Sequence, residues 1–218
     1  MKQLFEGIFE NNGKLYTKSI AKGQRVYGEL LIHDGETEYR EWDFHRSKYG
    51  AAVKKGLKES IFAKNSKVLY LGSAEGTTVS HVSDIVENEG LVFCIDISTV
   101  AMIKLLQLAE RRENLMPLVG NAENPGEYAE FIEEKVDAMF QDISQRNQAE
   151  IFVKNAKFLK KGGLAAIAIK TKSISQSEKK EDIVLEEKRI LESEFEVLQV
   201  LSLEPYEKHH YFILMKKK

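Results

Sequence analysis

The run Lys67-Val68-Leu69-Tyr70-Leu71-Gly72-Ser73-Ala74-Glu75-Gly76-Thr77-Thr78 reads as a short apolar strand, a glycine turn and hydroxyl residues that open a helix. In α/β proteins a nucleotide-like ligand rests at such a junction. Glycine lets the backbone come close, and unpaired N–H groups face the ligand. The glycines are spaced G-x-x-x-G. That is neither the G-x-G-x-x-G dinucleotide pattern nor the G-x-x-x-x-G-K-[ST] phosphate loop. The spacing disfavours a pyrophosphate and favours a ligand with an adenosine and no phosphates, such as S-adenosylmethionine. The plainer alternative is a tight turn between a packed strand and helix.

The unit continues downstream. Val79, Val82, Ile85 and Val86 recur at helical spacing, Gly90 breaks the pattern, and Leu91-Val92-Phe93-Cys94-Ile95-Asp96 makes a second strand ending in an acid. Asp96 follows Gly72 at close to the roughly 20-residue spacing at which a carboxylate grips both ribose hydroxyls. An exposed loop acid is the competing reading.

A chain of 218 residues holds one large domain, or one domain with a small appendage. No apolar run reaches the roughly 20 residues that span a bilayer, and Met1-Lys2-Gln3-Leu4-Phe5-Glu6 lacks a signal-peptide core. The single Cys94 has no disulfide partner and falls in an apolar strand, which suits a reducing compartment and predicts a cytoplasmic protein. No Cys/His cluster suggests a metal. With 32 Lys and Arg against 34 Asp and Glu, the net charge of −2 does not announce a nucleic-acid binder. Any basic surface must be local. Arg46, Lys48, Lys54, Lys55, Lys58, Lys170, Lys172, Lys179 and Lys180 are the cations placed to form one.

The pattern changes near residue 45. Before it, Leu15–Lys18, Arg25–Gly28 and Glu38–Trp42 alternate between turn signals at Asn11-Asn12-Gly13 and Asp34-Gly35, which predicts a small antiparallel β domain over 1–45. Over 46–218, helices and strands alternate, which predicts a mostly parallel sheet. Strands are expected at 67–71, 91–96, 115–119, 136–142, 164–170, 196–203 and 210–215. Helices are expected near 47–57, 77–87, 99–112, 126–134, 145–159 and 178–194. The polar stretch 170–180 reads as a mobile loop. Seven strands, the last after a long helix, fit the Rossmann-like sheet of class I S-adenosylmethionine-dependent methyltransferases. Ligands in such sheets bind beyond the strand carboxyl ends. Asp142 and Lys170 end apolar strands at that edge, and Lys48 and His210 flank elements there. A lysine closing a central strand needs water or a partner for its charge. An ordinary salt bridge at a strand end is the simpler reading.

Several motifs in order now carry a resemblance. They are Tyr39-Arg40-Glu41-Trp42 with Arg46-Ser47-Lys48; the glycine run with Val79-Ser80-His81; Gln141-Asp142 with Gln145; Ala168-Ile169-Lys170 with Ser173-Ile174; and Leu203-Glu204-Pro205-Tyr206-Glu207-Lys208 with His210. The chain resembles the archaeal fibrillarins, the methyltransferases of box C/D ribonucleoproteins, over essentially its whole length. The resemblance implies a Lys–Asp–Lys–His active-site set at Lys48, Asp142, Lys170 and His210. It implies methionine-cofactor contacts at Thr77 and Thr78 beside the loop glycines Gly72 and Gly76, at Asp96 and Ile97, at Asn121 and Ala122, and along Asp142, Ile143, Ser144 and Gln145. It also implies methylation of ribose 2′-hydroxyls in rRNA and tRNA, with a box C/D guide RNA, a Nop-type scaffold protein and a kink-turn-binding ribosomal-type protein as partners. The chain departs from the family at Asn121, where an Asp is usual, at Glu75 and Ser144, which replace smaller residues, at Phe44 and at His209. Asn121 still accepts a hydrogen bond from an adenine amine, without charge assistance.

The chemistry asks for these residue types. A ribose hydroxyl is a poor nucleophile until its proton is removed or strongly hydrogen-bonded, and a base contributes roughly 10²–10⁴ in rate. Lys170 is expected to act as base, Asp142 to orient it, Lys48 to position ribose or phosphate, and His210 to hydrogen-bond within the set or touch RNA. A small-molecule O-methyltransferase, a stand-alone RNA methyltransferase and a non-catalytic ribonucleoprotein subunit are the other readings. Activity without partners would mark the first two, and loss of the charged set would mark the third.

Overall fold

The computed structural model describes residues 1–218. The N-terminal part is a five-stranded antiparallel sheet of β1 (Lys2–Phe5), β2 (Ile8–Asn11), β3 (Lys14–Lys18), β4 (Leu31–Asp34) and β5 (Thr37–Trp42), in the order β1-β2-β3-β5-β4. The expected turn signals make its hairpins. Asn12 and Gly13 take φ of 49° and 78° between β2 and β3, and Gly35 takes 59° between β4 and β5. Arg25–Gly28 is not a strand, contrary to expectation. The backbone N–H groups of Val26 and Tyr27 donate to the Glu29 carboxylate instead of to a neighbouring strand.

The rest of the chain builds a seven-stranded sheet flanked by helices. Its strands are β6 (Lys67–Leu71), β7 (Leu91–Asp96), β8 (Leu115–Val119), β9 (Val136–Gln141), β10 (Leu159–Lys170), β11 (Phe195–Ser202) and β12 (His210–Lys217), in the order β11-β12-β10-β9-β6-β7-β8. Only β12 runs antiparallel to its neighbours β10 and β11. This is the predicted sheet. Its order reverses between β6 and β9, and the crevice outside their carboxyl ends is where such sheets bind ligands.

The helices are α1 (Lys48–Lys54), α2 (Thr77–Val86), α3 (Thr99–Ala109), α4 (Gln148–Asn155), α5 (Thr171–Ile174) and α6 (Lys180–Leu191). Two expectations fail locally. The helix expected at 126–134 is a pair of 3-10 turns, Pro125–Glu127 and Ala129–Phe131, because Pro125 and Gly126 start a segment too short to propagate α-helix. The stretch 170–180 is not simply a loop. Its first part is α5, anchored where the backbone N–H and hydroxyl of buried Thr171 both donate to the His209 carbonyl.

The strand faces bury Val68, Tyr70, Val92, Cys94, Phe140 and Ala168 on one side, and Leu69, Leu71, Ile95, Met139, Ile167 and Ile169 on the other. The two sheets are joined through α2 by buried charge. Asp84 accepts from Arg40 and from Arg112, each at 2.7 Å, and Arg40 also pairs with Glu29 at 2.6 Å. The Thr17 hydroxyl donates to Asp84 at 2.8 Å and lies 2.7 Å from His81 Nδ1, while His81 Nε2 lies 2.7 Å from the Tyr27 hydroxyl. Thr17 has spent its one proton on Asp84, so His81 Nδ1–H donates to Thr17. Burial, reinforced by Arg40 and Arg112, holds the His81 pKa far below the ordinary histidine value. The ring is therefore neutral, and its bare Nε2 faces the Tyr27 hydroxyl, whose proton also has the Glu41 carbonyl within 3.0 Å.

Candidate active site

Three strand ends form the floor of the site. The N–H of Asp142, just past β9, donates to the carbonyl of Leu71 at the end of β6 at 2.9 Å. Gly72 then turns away with φ +83°. From β7, Asp96 reaches back and holds the loop. One of its oxygens accepts from Ala74 N at 2.8 Å and the other from Ser98 N at 2.9 Å. The glycine loop is thus shaped by a carboxylate as well as by its glycines. Gly76 serves packing: a Cβ there would meet Leu105 and Leu108 of α3 at 2.8 Å.

A cavity of about 430 Å³ opens over this floor. Its walls include Gly72, Asp96, Ile97, Ala122, Asp142, Ile143, Ser144 and Gln145, all anticipated from the sequence, together with Ala74, Ile95 and Gly120, which were not. Asn121, Gly76, Thr77 and Thr78 do not line it. Asn121 is occupied in its own turn, where its Oδ1 accepts from Glu123 N and its N–H donates to Glu127. The lining holds two carboxylates and no lysine or arginine. Phosphates would meet nothing to balance their charge there, whereas an adenosine attached to a cation finds apolar walls in Ile97, Ala122 and Ile143 and acids in Asp96 and Asp142.

A second cavity of about 210 Å³ shares Gly72, Ala74 and Asp142 with the first. Lys48, Arg46, Tyr70, Thr77 and Thr78 complete much of its wall. Lys48 arrives there because Ser47 caps α1, its hydroxyl accepting from Gly50 N at 3.1 Å, while Thr78 at the start of α2 donates to the same hydroxyl at 3.0 Å. Lys48 Nζ and Asp142 Oδ2 are 3.0 Å apart. Burial works against the Lys48 charge, yet the Asp142 carboxylate and its hydrogen bond, with help from Glu207, hold the pKa above the ordinary lysine value. Lys48 is a fixed cation.

Lys170 and His210 face each other in register across β10 and β12, outside both cavities. The amine that Asp142 orients is that of Lys48, and Lys170 Nζ makes no ion pair. His210 Nδ1 donates to the Lys208 carbonyl at 2.8 Å, which leaves Nε2 as an acceptor. Burial and the nearby Lys48 charge depress its pKa against the opposing pull of the Lys208 carbonyl, Glu207 and Asp142. The loop before His210 is fixed by Tyr206, whose ring packs on Phe44 at 4.9 Å and on His45 at 5.6 Å, just ahead of α1.

Gln148 was missed from the sequence. Fully buried at the start of α4, it accepts from Lys170 N at 2.9 Å and donates to the carbonyls of Lys170 and Gln145 at 3.3 and 2.8 Å. It ties the end of β10 to the cofactor-cavity loop. A glutamine opening an otherwise apolar helix face was its only signal. Among the anticipated surface cations, Lys54 and Lys180 are committed, to Glu10 and to Glu204, each at 2.8 Å.

The sheet order, the glycine turn at the switch point and the phosphate-excluding cavity define a class I S-adenosylmethionine-dependent methyltransferase. The family model described as Fibrillarin matches residues 1–218. The chain is 45% identical over 217 residues to the fibrillarin-like rRNA/tRNA 2′-O-methyltransferase of Methanocaldococcus jannaschii, covering 96% of this chain and 94% of that one. Among solved structures it resembles Aeropyrum pernix fibrillarin with natively bound S-adenosyl-L-methionine, at TM-score 0.86 and 37% identity over 93% of this chain and 88% of that one. It also resembles the fibrillarin of a fibrillarin/Nop5p complex, at TM-score 0.90 and 38% identity over 100% of both chains. The chain belongs to the fibrillarin family.

Proposed function

We propose that this chain transfers a methyl group from S-adenosylmethionine to ribose 2′-hydroxyls of rRNA and tRNA, as the catalytic subunit of a box C/D ribonucleoprotein. The observation that carries the reading is the Lys48–Asp142 pair, whose acid belongs to both cavities. A methyl donor in the first and a ribose in the second would meet there. The names of the relatives supply the substrate class, and the Nop5p complex of a relative supports a Nop-type scaffold as partner. Box C/D guide RNA and a kink-turn-binding protein complete the assembly in this reading. Residues 46–218 form the methyl-transfer domain, and residues 1–45 a β domain docked on it.

When bound, S-adenosylmethionine supplies a methyl group on a sulfonium whose positive charge is lost as the methyl leaves. Gly72, Ala74, Asp96, Ile97, Ala122 and the Asp142–Gln145 loop would hold it, with Thr77, Thr78 and Asn121 at its margins. Most of the rate gain comes from holding the reacting atoms in line. Lys48, kept charged by Asp142, positions the ribose or its phosphate. In this reading Lys170 reaches in from the end of β10, outside the cavity wall, to take the hydroxyl proton, and His210 beside it accepts a hydrogen bond through Nε2.

The deciding experiment is methyl transfer to a guide-matched RNA by the chain alone and by the chain with scaffold, kink-turn protein and guide. Modification at the guided ribose is expected from the assembly and not from the chain alone. Efficient site-specific transfer by the chain alone would replace this reading with a stand-alone methyltransferase.

A further inference from the structure

The largest groove, about 670 Å³, lies beside the ribose cavity and shares Arg46, Glu75 and Thr77 with it. It runs between the Gln24–Tyr27 segment of the N-terminal part and the far end of α3. Its charged lining is Arg25, Arg46, Lys104 and Arg111 against Glu75 and Glu110. Lys104 is spent on Glu75 at 2.5 Å. The three arginines are exposed and make no ion pair, and the same is true of Arg146 beside the cofactor-cavity loop, whereas Arg40 and Arg112 are buried on Asp84 and Arg189 pairs with Glu186. A chain with excess acid thus keeps three free guanidinium groups around one groove that opens onto its methyl-acceptor cavity.

Arginine rather than lysine at all three positions matters. The planar fork matches a phosphate with two parallel hydrogen bonds and is less strongly hydrated than an ammonium. Arg46 is also held in place, its guanidinium lying 5.0 Å over the Tyr27 ring. Tyr27 is fixed in turn by its hydroxyl contact with His81. The groove is therefore pre-shaped at the end nearest the reaction, while Arg25 and Arg111 at its outer end stand free in solvent.

We propose that this groove is the track for the sugar–phosphate backbone of the RNA strand whose ribose is methylated, with Arg46 on a phosphate next to the target and Arg25 and Arg111 on phosphates further along. The inference rests on the RNA substrate proposed above. It assigns the direction in which that strand leaves the site, toward the β1–β5 sheet and α3 rather than along β10 and α5.

The test compares the full-length chain with Arg25→Gln/Arg111→Gln and with Lys161→Gln/Arg189→Gln, an equal charge change on β10 and α6, neither of which lines the groove. Binding of a labelled single-stranded RNA is followed by anisotropy over a salt series. The groove variant should lower the slope of log affinity on log salt by about 1.4, or ~0.7 for each phosphate that is no longer neutralised, and the control should not. In the assembled ribonucleoprotein the groove variant should raise KM for target RNA at unchanged kcat, with cofactor affinity by calorimetry unaltered. Equal behaviour of the two variants, or no RNA binding by the wild type at low salt, overturns the proposal. So does a groove variant that loses its scaffold protein while keeping its salt slope, which would make the groove a protein-docking site. If the wild type fails to methylate guided RNA but the slope still falls in the groove variant alone, the functional reading fails and the groove assignment stands.

Discussion

A Cβ atom on Gly72 would lie 2.2 Å from the carbonyl oxygen of Asp142. The glycine turn and the acid of the ion pair are in van der Waals contact, and the closeness is what lets one carboxylate serve both cavities. Gly72→Ala must separate β6 from β9 at their ends and adopt φ +83° with a side chain. A loss of about 3 kcal/mol or more in stability is expected, together with loss of S-adenosylmethionine binding. Gly13→Ala is the control. Its φ of +78° is similar, nothing lies within 4 Å of the added carbon, and it should cost about 1 kcal/mol. Thermal unfolding and calorimetry on the two variants check this.

Lys48→Met and Asp142→Asn divide binding from turnover differently. Lys48 lines only the smaller cavity, so its loss should lower methyl transfer by about 10²-fold while leaving cofactor affinity near wild type. Asp142 lines both cavities, so its variant should weaken both. Isothermal titration beside single-turnover rates in the assembled complex reads the contrast. Equal cofactor loss in both variants would count against the division.

Lys170→Arg should abolish turnover, since a guanidinium does not give up its proton at usable pH. Near-wild-type rates in that variant would reduce Lys170 to an electrostatic role. His210→Gln should lose part of the rate. Because burial and Lys48 depress its pKa, His210 stays neutral through neutral pH and gains a proton only below its ordinary value of about 6.5. The wild-type rate should therefore lose a His210-dependent part in acid, and that acid limb should shrink in His210→Gln. pH–rate profiles of both proteins decide it.

Gln148→Leu keeps the volume and removes all three bonds to the Lys170 and Gln145 backbone. Stranding buried backbone groups should cost about 2–4 kcal/mol. Gln148→Glu, which can still accept from Lys170 N, should recover part of the methyl-transfer rate. A purely structural glutamine would show parallel recovery of stability and rate, whereas a positioning role shows the rate lagging. Denaturant melts and kcat measured together separate the two.

Glu187 accepts from Ala149 N at 2.9 Å near the start of α4, and burial pushes its pKa up to about 7. In the unfolded chain it ionises near 4.5. The folded state therefore binds the extra proton between those values, so its contribution is fully present below about pH 4.5 and is lost as pH rises through about 7. Glu187→Gln keeps an acceptor for Ala149 without that penalty. It should match wild type at pH 4 and be more stable at pH 8, as thermal melts at the two values would show.

Much of this fold can be read in the residues. Val68–Leu71 and Leu91–Ile95 are continuous apolar runs because both faces of their strands are covered, and Gly72 marks the turn between layers. The short strands β1, β2 and β4 escape notice because four residues, half exposed, carry no period. Arg25–Gly28 alternates like a strand, but its N–H groups are taken by Glu29. In the site, Asp142 and Asp96 are legible from where their strands end. No local pattern brings Lys48 to Asp142, because Ser47, Thr78 and the aromatic contact with Tyr206 do it from three separate elements. The same holds for Arg25 and Arg111, which come to line one groove only after α3 packs beside the N-terminal segment.

The buried contacts that run from Tyr27 through His81 and Thr17 to Asp84 have a mechanical meaning. His81 stands one helical turn beyond Thr77, on the helix that begins at the glycine loop. Tyr27 stands beneath Arg46 in the groove wall. A strand of RNA in the proposed groove would therefore bear, through the neutral His81 ring, on the helix that opens at the glycine loop. Stiffness at Thr17, which lines neither cavity, would then bear on how firmly an acceptor is held against the methyl donor.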